Sequence, residues 1–170
     1  MSAIDRIGIR RVSIERATVI SAQSFDAVLA KLAAAVGHPN MSAFGRDVAA
    51  ARTSADLERI VQSATGPAGL MEMAHFDIGE VLRKDVGDGA PKNVRLVIGN
   101  PLIMKEMVKH APDAASYAPV TLLIDERADG VCLSYDLMAS FLAPYGNAQA
   151  SAIAAQLDEK VLAILTAIAE

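Results

Sequence analysis

Four groups of side chains in this chain have types and spacings that could carry chemistry. The first is Met71, Met73 and His75. Alternation along a strand would put all three on one face, and thioethers with an imidazole suit Cu(I) or haem iron. Met104, Met107 and His110, three residues apart on a helix, would add ligands. No Cys-x-x-Cys-His attachment pattern accompanies them, and methionines equally fill irregular gaps in a core. The second is Gly99-Asn100-Pro101, where a strand running into a helix start leaves amides facing outward for an anion and glycine permits close approach. No phosphate-loop lysine follows, and Asn100 would itself take up part of that donor set as a structural cap.

The third group is Cys132 with His75, His110, Asp125 or Asp136 as partners for nucleophilic catalysis. A reactive thiolate needs an electropositive, partly exposed setting. Cys132 instead falls mid-strand between Val131 and Leu133, and reads as an inert core thiol. The fourth is the acidic set Asp125, Glu126 and Asp129 around a turn. Paired carboxylates do acid–base work only where burial separates their pKa values. At a hairpin tip they are a solvated turn that discourages edge pairing. Tyr135 and Asp136, where the hairpin returns, are better placed to line a cleft.

These residues need elements to position them, and composition limits what those are. The 170 residues are 52% hydrophobic and 21% charged, a folded rather than disordered profile. Aromatics are only 4% and Trp is absent, so the core must be aliphatic. A net charge of −4 argues against a broad nucleic-acid footprint, since Arg6, Arg10, Arg11 and Arg16 are interspersed with Asp5 and Glu15. A single cysteine excludes an intramolecular disulfide and fits a reducing compartment. The charged start MSAIDRIGIRR is not a signal peptide. Leu137–Leu157 has 21 residues without a charge, but Pro144, Gly146, Asn147, Gln149 and Gln156 interrupt it as a membrane span. A soluble cytoplasmic protein is the expectation.

Periodicity then lays out the elements. Partial alternation over Ile7–Ser21 predicts an opening strand. Ser24 caps a helix with Asp26 in its first turn and Phe25, Val28, Leu29, Leu32 and Val36 on one face, ended by Gly37 and Pro39. Phe44 and Val48 suggest a short helix, and Thr53 with Asp56 forms a capping box ahead of another. Gly66-Pro67-Ala68-Gly69 closes this segment like a linker. Leu70–Phe76 alternates as a strand, with Asp77 and Glu80 starting a short helix to Lys84. Val94–Ile98 is an apolar strand, and Asn100-Pro101 begins a helix to about His110. Val120–Glu126 and Val131–Asp136 flank an Asp129-Gly130 hairpin turn. Asp136 can cap a short helix through Leu142. Ile153, Leu157, Val161, Ile164 and Ile168 stripe a long C-terminal helix.

Against this layout the chain resembles the family of domain of unknown function 302. The strand and cap VRLVIGNP at Val94–Pro101 and the hairpin APVTLLIDERADGVCLSYD at Ala118–Asp136 carry the resemblance. MAHFDIGEVL at Met73–Leu82 and the opening strand and helix at Arg16–Val36 agree more loosely. The resemblance implies an α+β sandwich that self-associates, and implies no known reaction. Residues 38–69 stand out as an extra segment.

The combined expectation is an α+β fold: a two-layer sandwich with a mostly antiparallel or mixed sheet of about five strands and helices packed on it. It forms one domain over residues 1–170, with 38–69 a helical insertion. The expected function is a ligand-binding or interaction module, rather than an enzyme, with no assigned catalysis and no cofactor. Its ligand site is a cleft at Asn100 bordered by His75 and Tyr135. Expected partners are a second copy in a homodimer and a small molecule, with neither nucleic acid nor membrane. The competing reading is a metal- or haem-binding protein or small enzyme using His75 with Met71 or Met73. A third is a structural dimer held by the C-terminal helix.

Overall fold

The computed structural model describes residues 8–170. Five antiparallel strands form one sheet in the order β1 (Arg16–Ser21), β5 (Gly130–Asp136), β4 (Val120–Arg127), β3 (Asn93–Gly99), β2 (Met71–Asp77). Between β1 and β2 come α1 (Phe25–Ala35), α2 (Met41–Ala50) and α3 (Ser54–Ala64). The helix α4 (Ile78–Val86) joins β2 to β3, and α5 (Pro101–His110) joins β3 to β4. After the hairpin come α6 (Met138–Leu142) and the long α7 (Ala148–Ala169). This is an α+β two-layer arrangement, as the pattern of elements predicted.

Helix starts follow the local chemistry. Ser24, Asn40, Thr53, Asp77, Asn100 and Asn147 each accept a first-turn amide hydrogen bond at the head of a helix. Thr53 and Asp56 make the full reciprocal capping box. Since α3 buries only Val61 in its own span, the cap is a large part of its support. Thr53→Ala is expected to lower stability by about 1 kcal/mol, read by urea unfolding; an unchanged midpoint would count against a role for the cap.

One face of the sheet carries the core. Val94, Leu96 and Ile98 on β3, Val120, Leu122 and Ile124 on β4, and Val131, Leu133 and Tyr135 on β5 pack with Phe25, Val28 and Leu32 of α1, Met107 of α5, and Leu157, Val161 and Leu165 of α7. Each fully buried aliphatic side chain here contributes about 1.5–3 kcal/mol relative to exposure. The stripe expected on the C-terminal helix is therefore turned largely into the chain's own core, with Leu157, Val161, Ile164 and Ile168 all buried.

Three local expectations are corrected. The opening strand begins at Arg16 rather than Ile7: β5 ends at Asp136, the partner of Arg16, and beyond that pair the chain turns into α6, so Glu15 keeps one ladder-like bond from the Leu137 amide while its own amide goes to the Ser140 hydroxyl. Of that predicted strand, Ile7 lies outside the described residues. Secondly, Met71, Met73 and His75 do not share a face. The register of β2 slips between Glu72 and Ala74, a bulge that leaves Met73 as the extra residue. Met71 pairs with Gly99 and His75 with Leu96, and partners three apart on β3 point to opposite faces. Finally, Asp136 does not cap α6. Leu137 is the cap residue and makes no side-chain bond there, while the Asp136 carboxylate is bound by Arg16.

Candidate functional site

Register explains where the expected site residues go. Directly paired residues share a face, so Ala17, Tyr135, Leu122, Leu96 and His75 form one row across all five strands on the helix-covered side. Between His75 and Tyr135 lie Leu122 and Leu96, both essentially without exposed surface. Packed core, not a cleft, separates them. Tyr135 is buried and donates its hydroxyl to Asp158 at 2.5 Å. Burial first, then that bond, pushes its pKa well above the usual tyrosine value. His75 sits at the exposed edge, its Nδ1 3.5 Å from Glu72, which His38 approaches at 3.7 Å from the other side. Asn100 spends its side chain on the amide of Leu102 and the carbonyl of Gly69. Beside it, among Met73, Gly99 and Met104, is a void of about 10 Å³, at the lower limit for one water. The structure does not bring His75, Asn100 and Tyr135 together. Nor does it assemble a metal centre among the described residues: no three His, Cys, Asp or Glu are arranged to hold an ion.

The core cluster of the described residues lies on the helix-covered side; the opposite face has a chemically richer next row. Thr18, Ser134, Leu123, Arg95 and Phe76 pair in sequence across the five strands, with Arg16 paired to Asp136 one row along. A cleft of about 300 Å³ opens over these rows. Its floor is Leu123, Ser134 and Thr121; Tyr117 and Phe141 supply walls, and Arg16, Arg95 and Asp136 supply charge. The two aromatic rings stack with centroids 4.7 Å apart. The Tyr117 hydroxyl lies 2.7 Å from that of Tyr145, and this bond raises the Tyr145 pKa. Arg10 lies 4.4 Å over the Tyr145 ring.

The two arginines of the cleft differ. Arg16 grips Asp136 bidentately at 2.6 and 2.9 Å, and the hydrogen bond with the carboxylate raises its pKa. Arg95 makes no ion pair with any described residue; its guanidinium lies 5.8 Å from the centre of the Phe76 ring. Two apolar grooves along α7, about 390 and 430 Å³, are larger. They are open, however, and offer few polar groups to orient a ligand: Lys160 in both, with Glu106 and Gln156 in the first. The smaller cleft is the better candidate because its polar groups converge.

Comparison with known proteins places this geometry in a family. The model of domain of unknown function DUF302 matches residues 46–168. The chain belongs to the DUF302 family. In structure it is similar to an uncharacterized conserved DUF302 protein from Bacillus stearothermophilus, with a TM-score of 0.62 at 12% identity over 91% of this chain and 98% of that one. At that identity the likeness speaks to the fold. No curated protein matches. The family match takes in residues 46–69, so it spans most of the segment that stood out as extra, and β1 and α1 lie before its start.

In this DUF302 chain the residues missed from sequence include Arg95, Tyr117, Phe141, Thr121 and Ser134. Arg95 had a usable signal: it is the one charge inside an otherwise apolar strand. Alternation sends it to the face opposite Val94 and Leu96. Tyr117 and Phe141 had none, since they are distant in sequence and meet only through the path of the chain on either side of the hairpin. Asp136 was singled out for a cleft and lines one; its neighbour Tyr135, one residue earlier, points to the other side. Cys132 is fully buried, its thiol 3.6 Å from Ser134. No helix among the described residues is long and apolar enough to cross a membrane. Among the large apolar groups that reach solvent are Ile9, Ile14 and Ile20 near the start of the described chain, Phe76 on β2, and Ile78, Val81, Leu82 and Val86 on α4.

Proposed function

We propose that this DUF302 chain is a small-molecule binding module whose site is the cleft on the open face of the sheet. The observation that carries the reading is Arg95: a guanidinium without an ion-pair partner among the described residues, lining a cleft that also offers the Thr121 and Ser134 hydroxyls and the apolar surfaces of Leu123 and Phe141. Pockets with a few convergent polar groups on a mainly apolar lining are the usual form of ligand sites. The arrangement lacks a nucleophile–base pair, which favours binding over catalysis. The buried, unpaired Cys132 is in keeping with a reducing, cytoplasmic setting.

A fragment screen by amide chemical-shift mapping tests this. Hits are expected to perturb Thr121, Leu123, Ser134 and Phe141 together, and to be weakened at least tenfold by Arg95→Ala, the scale of one lost charge-assisted hydrogen bond. Hits confined to the groove between α5 and α7, around Ile103 and Ile153, would move the site there and end the reading.

A further inference from the structure

Resting on the reading of the cleft as a ligand site, we infer that its ligand is a small organic monoanion, a carboxylate with a flat apolar body, and that Asp136 sets this charge preference. Arg16 and Arg95 contribute two positive charges and Asp136 one negative, so the cleft carries a net +1. The Arg16 fork is filled by the two Asp136 oxygens at 2.6 and 2.9 Å, leaving Arg95 as the open fork. A carboxylate matches that fork in a planar, bidentate way. The body of the ligand then lies over Leu123 and against the stacked rings of Tyr117 and Phe141. The Ser134 and Thr121 hydroxyls remain to orient polar substituents. The volume of about 300 Å³ is at the low end for ligand pockets and suits a small ligand. Arg10 over the Tyr145 ring adds to the positive field beside the aromatic wall.

The Arg16–Asp136 pair sets the charge at the far end of the site. A β1 residue and a β3 residue are three strand spacings apart, about 14 Å between backbones, and both side chains line the same cleft. Removing the Asp136 charge would free Arg16 to meet a second carboxylate on the far side of the ligand.

Benzoate, benzamide and terephthalate, titrated at pH 7.5 and followed by amide shifts, test the inference. The wild-type protein is expected to bind benzoate at least tenfold tighter than benzamide, and Arg95→Gln to bring the two to the same level. Asp136→Asn is expected to raise terephthalate affinity relative to benzoate about tenfold, the scale of one added partly screened charge pair. As a second variant, Arg16→Gln leaves Asp136 unneutralised and is expected to weaken benzoate severalfold, although the residue does not hold it. Circular dichroism establishes that each variant is folded. Equal binding of benzoate and benzamide by the wild type, or a benzoate preference that survives Arg95→Gln, overturns the inference while leaving a binding cleft. No shift in the cleft with any of the three probes or with the fragment set removes the cleft reading itself.

Discussion

Asp158→Ala is expected to destabilise the protein by about 4 kcal/mol, because it orphans three buried or half-buried donors at about 1–3 kcal/mol each, less some relief from water. Asp158, on α7, is only 4% exposed. Its Oδ1 accepts from the Tyr135 hydroxyl at 2.5 Å and the Met138 amide at 2.7 Å; its Oδ2 accepts from the Ala139 amide at 2.9 Å. The two amides are first-turn donors of α6, which has no side-chain cap of its own. The carboxylate therefore caps one helix from another and fixes the end of β5 in the same step. Against a usual total of about 5–15 kcal/mol, the loss is severe, and the melting temperature should fall by roughly 8–16 °C at this chain length. Tyr135→Phe removes only one donor and is expected to cost about 1.5–2 kcal/mol. In the Asp158→Ala background it should cost far less, since the hydroxyl it removes is then unpaired. Additive single and double variants in denaturant unfolding would show that the three groups do not form one network.

That network also shows where sequence reasoning stops. Elements with local causes were legible: the Ser24, Thr53, Asp77 and Asn100 caps and the stripe of α7 stand where spacing put them, and the hairpin turn falls one residue early, at Ala128-Asp129, with Gly130 at positive φ opening β5. Asp158 carried no local signal, because its partners lie 19 to 23 residues earlier in the chain. Asp136, with a good local claim to cap α6, is taken by Arg16 at a separation of 120 residues. A charge-assisted bidentate pair across adjacent strands outweighs the weaker gain of a helix cap. The candidate site failed for a related reason. His75 and Tyr135 were chosen on types and alternation, and they do fall in one row, but occupancy of the space between them is decided by Leu96 and Leu122. The bulge at Met73 changes which face each residue of β2 presents, and a shift of one residue exchanges the faces. The side of the sheet left to solvent, where the cleft opens, follows from how the helices layer, which periodicity within single elements does not encode.

The other large expected effect concerns two glycines at the neck of the α2–α3 segment. A Cβ on Gly37 would come within 2.0 Å of the Ala64 carbonyl oxygen, and one on Gly66 within 2.4 Å of the Val36 carbonyl carbon. Real side chains do not make such approaches, and the atoms met are backbone, which cannot turn aside. The close crossing exists because both amides donate to the same acceptor, the carbonyl of Leu70, each at 2.9 Å, while Ala68 donates to Ala35 and Glu72 to Gly37. The neck is thus a small hydrogen-bonded junction that ties α1, the end of α3 and the edge strand β2 together. Gly37→Ala or Gly66→Ala is expected to cost about 3–4 kcal/mol, from overpacking against immovable neighbours and from the shared bonds broken as the strands part. Introducing both should cost less than the sum, since either one opens the junction. Gly45, in the middle of α2, supplies the opposing case: a Cβ there meets nothing within 4 Å. Gly45→Ala should stabilise by up to about 1 kcal/mol through helix propensity alone. Urea unfolding of the three variants then separates a general intolerance of added methyl groups, which would lower all three, from the steric junction, which lowers two and raises the third.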